Sequence, residues 1–226
     1  VKYSDGNYYL DPGIPEVRQL VVDGVTEIVK NYDVDGIHMD DYFYPGTGFP
    51  DDASYKTYGS AFKNADDWRR DNVNQLVKEL NTAIHKLDAS VSFGISPFGI
   101  WANQSSLSGG SDTSGNQTYF SHYADTRKWV KEGWVDYICP QIYWEIGHSL
   151  ADYETLVKWW ADTVKGTGVK LYIGMADYKA GTTGSWKGIT QIEDQIALNA
   201  TIPEITGEIH FRYQFILSVD GLDKFY

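Results

Sequence analysis

Residues 35–45 read DGIHMDDYFYP, an apolar strand-like run that ends in two adjacent acids, three aromatics and a proline. Side chains alternate along a strand, so Ile37 and Met39 fall on one face and His38 and Asp40 on the other. With the apolar pair against a helix layer, His38 and Asp40 point into the opposite space, while Asp41 turns sideways or out. Two like charges at a strand end have a plain explanation, a solvated turn. They also have a sharper one, a catalytic carboxylate at the mouth of a barrel. The segments on either side decide between them.

Upstream, PEVRQLVVDGVTEIVKNY (15–32) opens with Pro at a first helical position and repeats its apolar residues at helical spacing. Downstream, ADDWRRDNVNQLVKELNTAIHKLD (65–88) has acids in its first turn and a stripe of Leu76, Leu80, Ile84 and Leu87. Helices are further expected over 122–134, 149–165 and 190–200, and strands over 34–39, 90–96, 135–144, 169–176 and 208–215, with a possible sixth at 8–11. Alternation of this kind builds βαβ units around a parallel sheet. Five strands fall short of the eight that close a barrel. The expected fold is therefore α/β, a TIM-like (β/α)8 barrel lacking its first one or two strand–helix units in this chain. Residues 1–226 form one barrel-type catalytic domain, incomplete at its N-terminal side, and the polar loop at 103–118 resembles a lid.

The inner face of each expected strand follows from the same alternation. Ser92, Gly94 and Ser96 form one inner set, and Cys139, Gln141 and Tyr143 another. In 208–215, His210, Arg212 and Gln214 share the inner face, with Ile209, Phe211, Tyr213 and Phe215 outward. Parallel strands end at one rim, so His38, Asp40, Gln141, Tyr143, Arg212 and Gln214 converge where barrel active sites lie. Polar groups buried there must pair or serve a ligand.

A net charge of −12 argues against nucleic acid and against anionic membrane surfaces, which need a basic footprint. The one cysteine, Cys139, excludes an internal disulfide and a Cys-based zinc site. No apolar run of about 18 residues offers a transmembrane segment. Aromatics make up 15% of the chain, and those in loops suit stacking on sugar rings.

The segments LDPGIPEVRQ (10–19), DGIHMDDYFYP (35–45), SPFGIWAN (96–103), VDYICPQIYW (135–144) and HFRYQ (210–214) resemble, in order, the glycosyl-hydrolase-like family 10 barrels. The resemblance runs from about residue 8 to 217. It implies a bacterial secreted or envelope-associated glycosidase acting on an oligo- or polysaccharide such as peptidoglycan glycan strands stripped of their peptides. It also implies an acid at the end of the fourth barrel strand, which maps onto Asp40 or Asp41.

Glycoside hydrolysis usually needs two carboxylates flanking the scissile bond. Asp40 is the first choice for the ionised one, with Arg212 or a charged His38 nearby to keep it so. Candidates for the second are Asp41, whose like-charged neighbour can raise its pKa, and Glu145 and Asp177, each just past a different strand and flanked by aromatics. Tyr42, Tyr44, Trp101, Tyr143, Trp144 and Tyr178 are expected as sugar platforms. Asn103, Gln141 and Gln214 are expected to read hydroxyl or N-acetyl groups. Trp129, Trp134, Trp159 and Trp160 belong to helix packing. No cofactor and no metal is expected, although His38, Asp40, Asp41 and His210 leave open a metal-dependent deacetylase or hydrolase. A glycan-binding barrel without chemistry is the third possibility.

Overall fold

A computed structural model of the chain describes residues 1–41 and 43–226. The helix expected at 15–32 is α1, Pro15–Asn31, with Pro at its start and Val22 buried on its inner face. A short α2 (Asp52–Tyr58) precedes α3, Ala65–Leu87. The α3 N-terminus is closed by Asn64, whose Oδ1 accepts the Asp67 N–H at 2.8 Å. Leu76, Val77, Leu80 and Ile84 form its buried stripe against α1 and the sheet, whereas Leu87 at the last turn is exposed.

Five strands form one parallel sheet in the order β1 (Gly36–Asp40), β2 (Ser92–Ser96), β3 (Tyr137–Ile138), β4 (Lys170–Met175) and β5 (Ile205–His210). Each strand lies beside its neighbour in sequence, with no reversal of the kind that splits a doubly wound sheet. The remaining helices are α4 (Thr118–Ser121), α5 (Thr126–Lys131), α6 (Tyr153–Val164), α7 (Thr190–Asn199), α8 (Tyr213–Ser218) and α9 (Leu222–Phe225). Among the described residues, helices cover one face of the sheet. Ile37, Phe93, Ile95, Leu171, Ile173 and Met175 are buried beneath helices, while His38, Asp40 and Ile209 are exposed on the other face. A singly wound parallel sheet covered on one face is an arc of a TIM-like barrel, with its interior on the uncovered side.

Three expected elements differ. β3 spans two residues instead of ten because Pro140 has no N–H for the ladder; pairing resumes beyond it, where the Gln141 N–H donates to Pro97 O at 2.9 Å. Residues 8–11 form no strand beyond an isolated bridge between Lys2 and Tyr8. The last strand lies at 205–210 rather than 208–215, and its parity is inverted. A register skip opposite Leu171 and Tyr172 leaves Thr206 without a ladder partner, and Gly207, Ile209 and then Phe211 take the inner side. Glu208 and the His210 ring turn outward, where Asn199 of α7 donates to Glu208 Oε1 at 3.1 Å and His210 Nδ1 lies 3.1 Å from Asp177 Oδ1, although His210 still borders the cavity at the strand end.

The loop at 103–118 is no lid. Asn103 ties it internally, donating to Gly115 O and accepting from Thr113 and from the Gly115 N–H. Gly109 O is held by the Trp159 indole on α6, on the helix side. Trp129 and Trp160 are fully buried with their indole N–H groups paired, as packing residues require. Among the described residues no helix is long and apolar enough to cross a membrane.

Candidate active site

A cavity of about 640 Å³ opens at the C-terminal ends of the strands. His38 and Asp40 of β1, Gly174 of β4 and Ile209 of β5 all border it, so the sheet curves enough for its two end strands to share one space. Between them Ser96, Cys139 and Gln141 form the floor, and Phe98, Tyr143, Tyr178 and Phe211 the walls.

Asp40 is exposed to this space. Its Oδ1 accepts two N–H groups, from the Gln141 side chain at 2.8 Å and from the Asp41 backbone at 3.1 Å. The Gln141 amide also donates to Ser96 O at 2.9 Å. Beneath, Ser96 Oγ meets His38 Nε2 at 2.7 Å and the Tyr137 hydroxyl meets His38 Nδ1 at 2.8 Å. Tyr137 stacks on the imidazole with centroids 5.8 Å apart. Gly94 makes room for that ring, since a Cβ there would lie 2.1 Å from Tyr137 Cζ. Burial lowers the His38 pKa, with the Asp40 charge pulling the other way. His38, with both nitrogens engaged, is thus a neutral strut under the site. Burial also pushes the Cys139 thiol up to about 12, which removes it as a nucleophile.

Asp41 follows Asp40 but points away from the cavity and is 1% exposed. Burial first, and then the Asp40 charge, push its pKa up to about 7, with backbone hydrogen bonding at Phe98 acting in the opposite sense. Among the described residues no hydrogen bond of full geometry closes on either of its oxygens.

The aromatic wall is continuous. Tyr143 and Tyr178 meet edge to face at 5.7 Å, and Phe211 lies 6.5 Å from Tyr143 and 6.3 Å from Tyr178. Lys179 donates to Tyr143 O and steadies this segment. Phe211 is half exposed, an apolar face offered to the cavity.

The family is shown by comparison. The glycosyl hydrolase-like 10 model matches residues 2–187. The chain is 50% identical over 217 residues to the glycosyl hydrolase YngK of Bacillus subtilis, covering 92% of this chain and 42% of that protein. It is 44% identical over 226 residues to the glycosyl hydrolase DigH of Escherichia coli K12, covering 96% of this chain and 52% of that protein. The chain belongs to the glycosyl hydrolase-like 10 family. It spans about half the length of these relatives.

Within this family member, His38, Asp40, Gln141, Tyr143 and Tyr178 are brought together as the strand pattern expected. The other expected site residues lie elsewhere, each for a visible reason. Tyr44 is fully buried, edge-on to Phe49 and Tyr123. Trp101 is 5% exposed, stacked on Trp159 and donating to Asp125 at 2.9 Å. Asn103 holds its own loop rather than a sugar. Trp144 packs against the core, and Glu145 accepts from the Trp186 indole at 3.2 Å away from the cavity.

Asp177 is fully buried behind the sheet, where its Oδ1 lies 3.1 Å from His210 Nδ1 and 3.2 Å from the Tyr226 hydroxyl. Arg212 and Gln214 are not on a strand at all: Arg212 holds the position just before α8, Gln214 lies within it, and both are exposed outside the cavity lining. Tyr42 lies outside the described residues. Ser96 and Cys139 were legible as inner-face residues. Phe98, Ile209 and Phe211 were missed as cavity residues, the latter two because the β5 parity is inverted.

Proposed function

We propose that this chain is the catalytic barrel unit of a secreted or envelope-associated glycoside hydrolase that cleaves a bacterial cell-wall glycan, peptidoglycan-like, or a related polysaccharide. The observation that carries the reading is the exposed carboxylate of Asp40, oriented by two N–H donors on the floor of a cavity walled by Tyr143, Tyr178 and Phe211. Sugar rings present apolar C–H faces and hydroxyl edges, and such a cavity meets the first with aromatic rings and the second with polar groups. Asp40 Oδ1 is occupied by its two donors, so Oδ2 is the oxygen left to face the anomeric carbon. There a carboxylate either attacks or stabilises the positive charge of the oxocarbenium-like transition state. A metal-dependent deacetylase is less well supported. Both nitrogens of His38 are already engaged, and among the described residues no group of three or more His, Cys, Asp or Glu side chains converges to hold an ion.

The test is release of reducing ends from purified wall glycan strands stripped of peptides, using the protein over its natural length. Wild type is expected to release them and Asp40→Asn to release none above background, while both bind the glycan by calorimetry. A wild-type protein that binds without cleaving overturns the hydrolase reading in favour of a glycan-binding barrel.

A further inference from the structure

We propose that Gln141 is the positioning residue for Asp40, fixing which carboxylate oxygen faces the sugar, rather than a reader of sugar hydroxyls through its N–H groups. The orientation of its amide follows from its surroundings. One end of the side chain sits within hydrogen-bond distance of Asp40 Oδ1 and Ser96 O, both acceptors. An amide oxygen there would face two oxygens with no proton between them, so the NH2 group occupies that place and both its hydrogens are engaged. The Oε1 atom is turned away from these acceptors, and any sugar contact Gln141 makes is as an acceptor.

The backbone on both sides makes this fixed. Gln141 N–H donates to Pro97 O at 2.9 Å, and isolated bridges join Gln141 to Phe98 on one side and Gly174 on the other. The side chain is thus launched from a ladder position directly after the proline that interrupts β3. Asp40 is registered against Ser96 in the neighbouring strand pair. Gln141 therefore bridges the ends of β1, β2 and the β3 segment through one nitrogen. N–H groups donated to a carboxylate favour its ionised form. Removing this donor affects both where the Asp40 oxygens point and how readily they take a proton.

The other ionisable groups around Asp40 are His38 and Asp41 on its own segment, Cys139 and Tyr143 from the β3 segment and Tyr178 after β4; His210 at the end of β5 also borders the cavity, but its ring is turned to Asp177 and Tyr226. Of these, the Asp41 carboxyl also interacts with the Asp40 side chain, which helps raise the Asp41 pKa; the second N–H donor to Asp40 Oδ1 is the Asp41 backbone, which no side-chain substitution at 141 removes.

The inference rests on the hydrolase reading for its effect on turnover, but the ionisation of Asp40 can be followed without turnover. The experiment is a ¹³C-carboxyl NMR titration of Asp40 in wild type, Gln141→Ala and the near-isosteric Gln141→Glu, alongside pH–rate profiles on wall glycan strands. The Asp40 midpoint is expected to rise in both variants, by about one pH unit or more in Gln141→Glu, where a like charge replaces a donor. On the glycan, kcat is expected to fall about 10–100-fold with KM little changed, and the acid limb of the profile to move up with the NMR midpoint. An unmoved midpoint in both variants, or a raised KM with unchanged kcat, overturns the positioning role and returns Gln141 to substrate reading. Wild type inactive on every glycan sinks the hydrolase reading, while the NMR midpoints still decide whether Gln141 orients Asp40. Gln141→Asn keeps the amide and folds most conservatively; its shortened reach is expected to reproduce the Gln141→Ala midpoint.

Discussion

Asp40 and Asp177 are the same residue type at the same kind of place, at or just past the end of a parallel strand, yet the fold uses them in opposite ways. Asp40 is exposed in the cavity, held by two N–H donors on one oxygen. Asp177 is fully buried behind the sheet, where the His210 ring and the Tyr226 hydroxyl converge on it from β5 and the end of α9. Position at the rim is not enough to make an acid catalytic. The parity of the strand and the turn that follows decide whether the carboxylate enters the barrel or staples its back.

Four substitutions sharpen that contrast. The largest effect is expected at Asp40→Asn: glycan cleavage falls by at least about 1,000-fold with little change in thermal stability, since an exposed carboxylate is replaced by a near isostere. Asp177→Ala is expected to do the reverse. Breaking a buried pair costs about 3 kcal/mol, a drop of roughly 6–12 °C in Tm, seen by thermal melts at pH 7. The folded fraction should retain most of its turnover, and an Asp177 variant that is stable but inactive would break the comparison. Third, Phe211→Ala is expected to raise KM for the glycan about tenfold with kcat nearly unchanged, the loss of one apolar platform.

The smallest effect concerns Asp41, whose pKa is raised by burial and by Asp40 to about 7. A carboxyl whose folded pKa lies above its unfolded value binds more protons folded than unfolded, so its contribution to stability is lost as pH rises. The window runs from the ordinary carboxyl range to about pH 7. Asp41→Asn removes that loss. Its Tm is expected to match wild type near pH 4 and to exceed it by about 2–6 °C near pH 8, and a gap that does not grow with pH would contradict the assignment.

Much of this was legible before the structure. The alternation in 35–40 placed Ile37 and Met39 beneath helices and aimed His38 and Asp40 into the barrel, because a period of two leaves no other choice once one face is apolar. The α1 and α3 helices carried their own start signals, Pro15 in the first and the acidic first turn in the second. Long-range causes decided the rest. The apolar alternation Ile209, Phe211, Tyr213, Phe215 runs on past the strand into α8, so it could not mark where β5 ends, and the register skip that sets its parity depends on β4. Loop aromatics were the other misleading signal. Tyr44 and Trp101 follow strands as sugar platforms would, but nearby rings take them into the core. The Gln141 donor on Asp40 joins residues 101 apart in sequence, a contact no local pattern records.

The most direct measurement is a structure of the Asp40→Asn protein, over its natural length, with a wall-glycan oligomer bound. The account predicts a sugar ring against Tyr143, Tyr178 and Phe211, with its anomeric carbon facing the side chain at position 40. An oligomer seated anywhere else on the molecule, or in the cavity with its anomeric carbon turned from that residue, would contradict it.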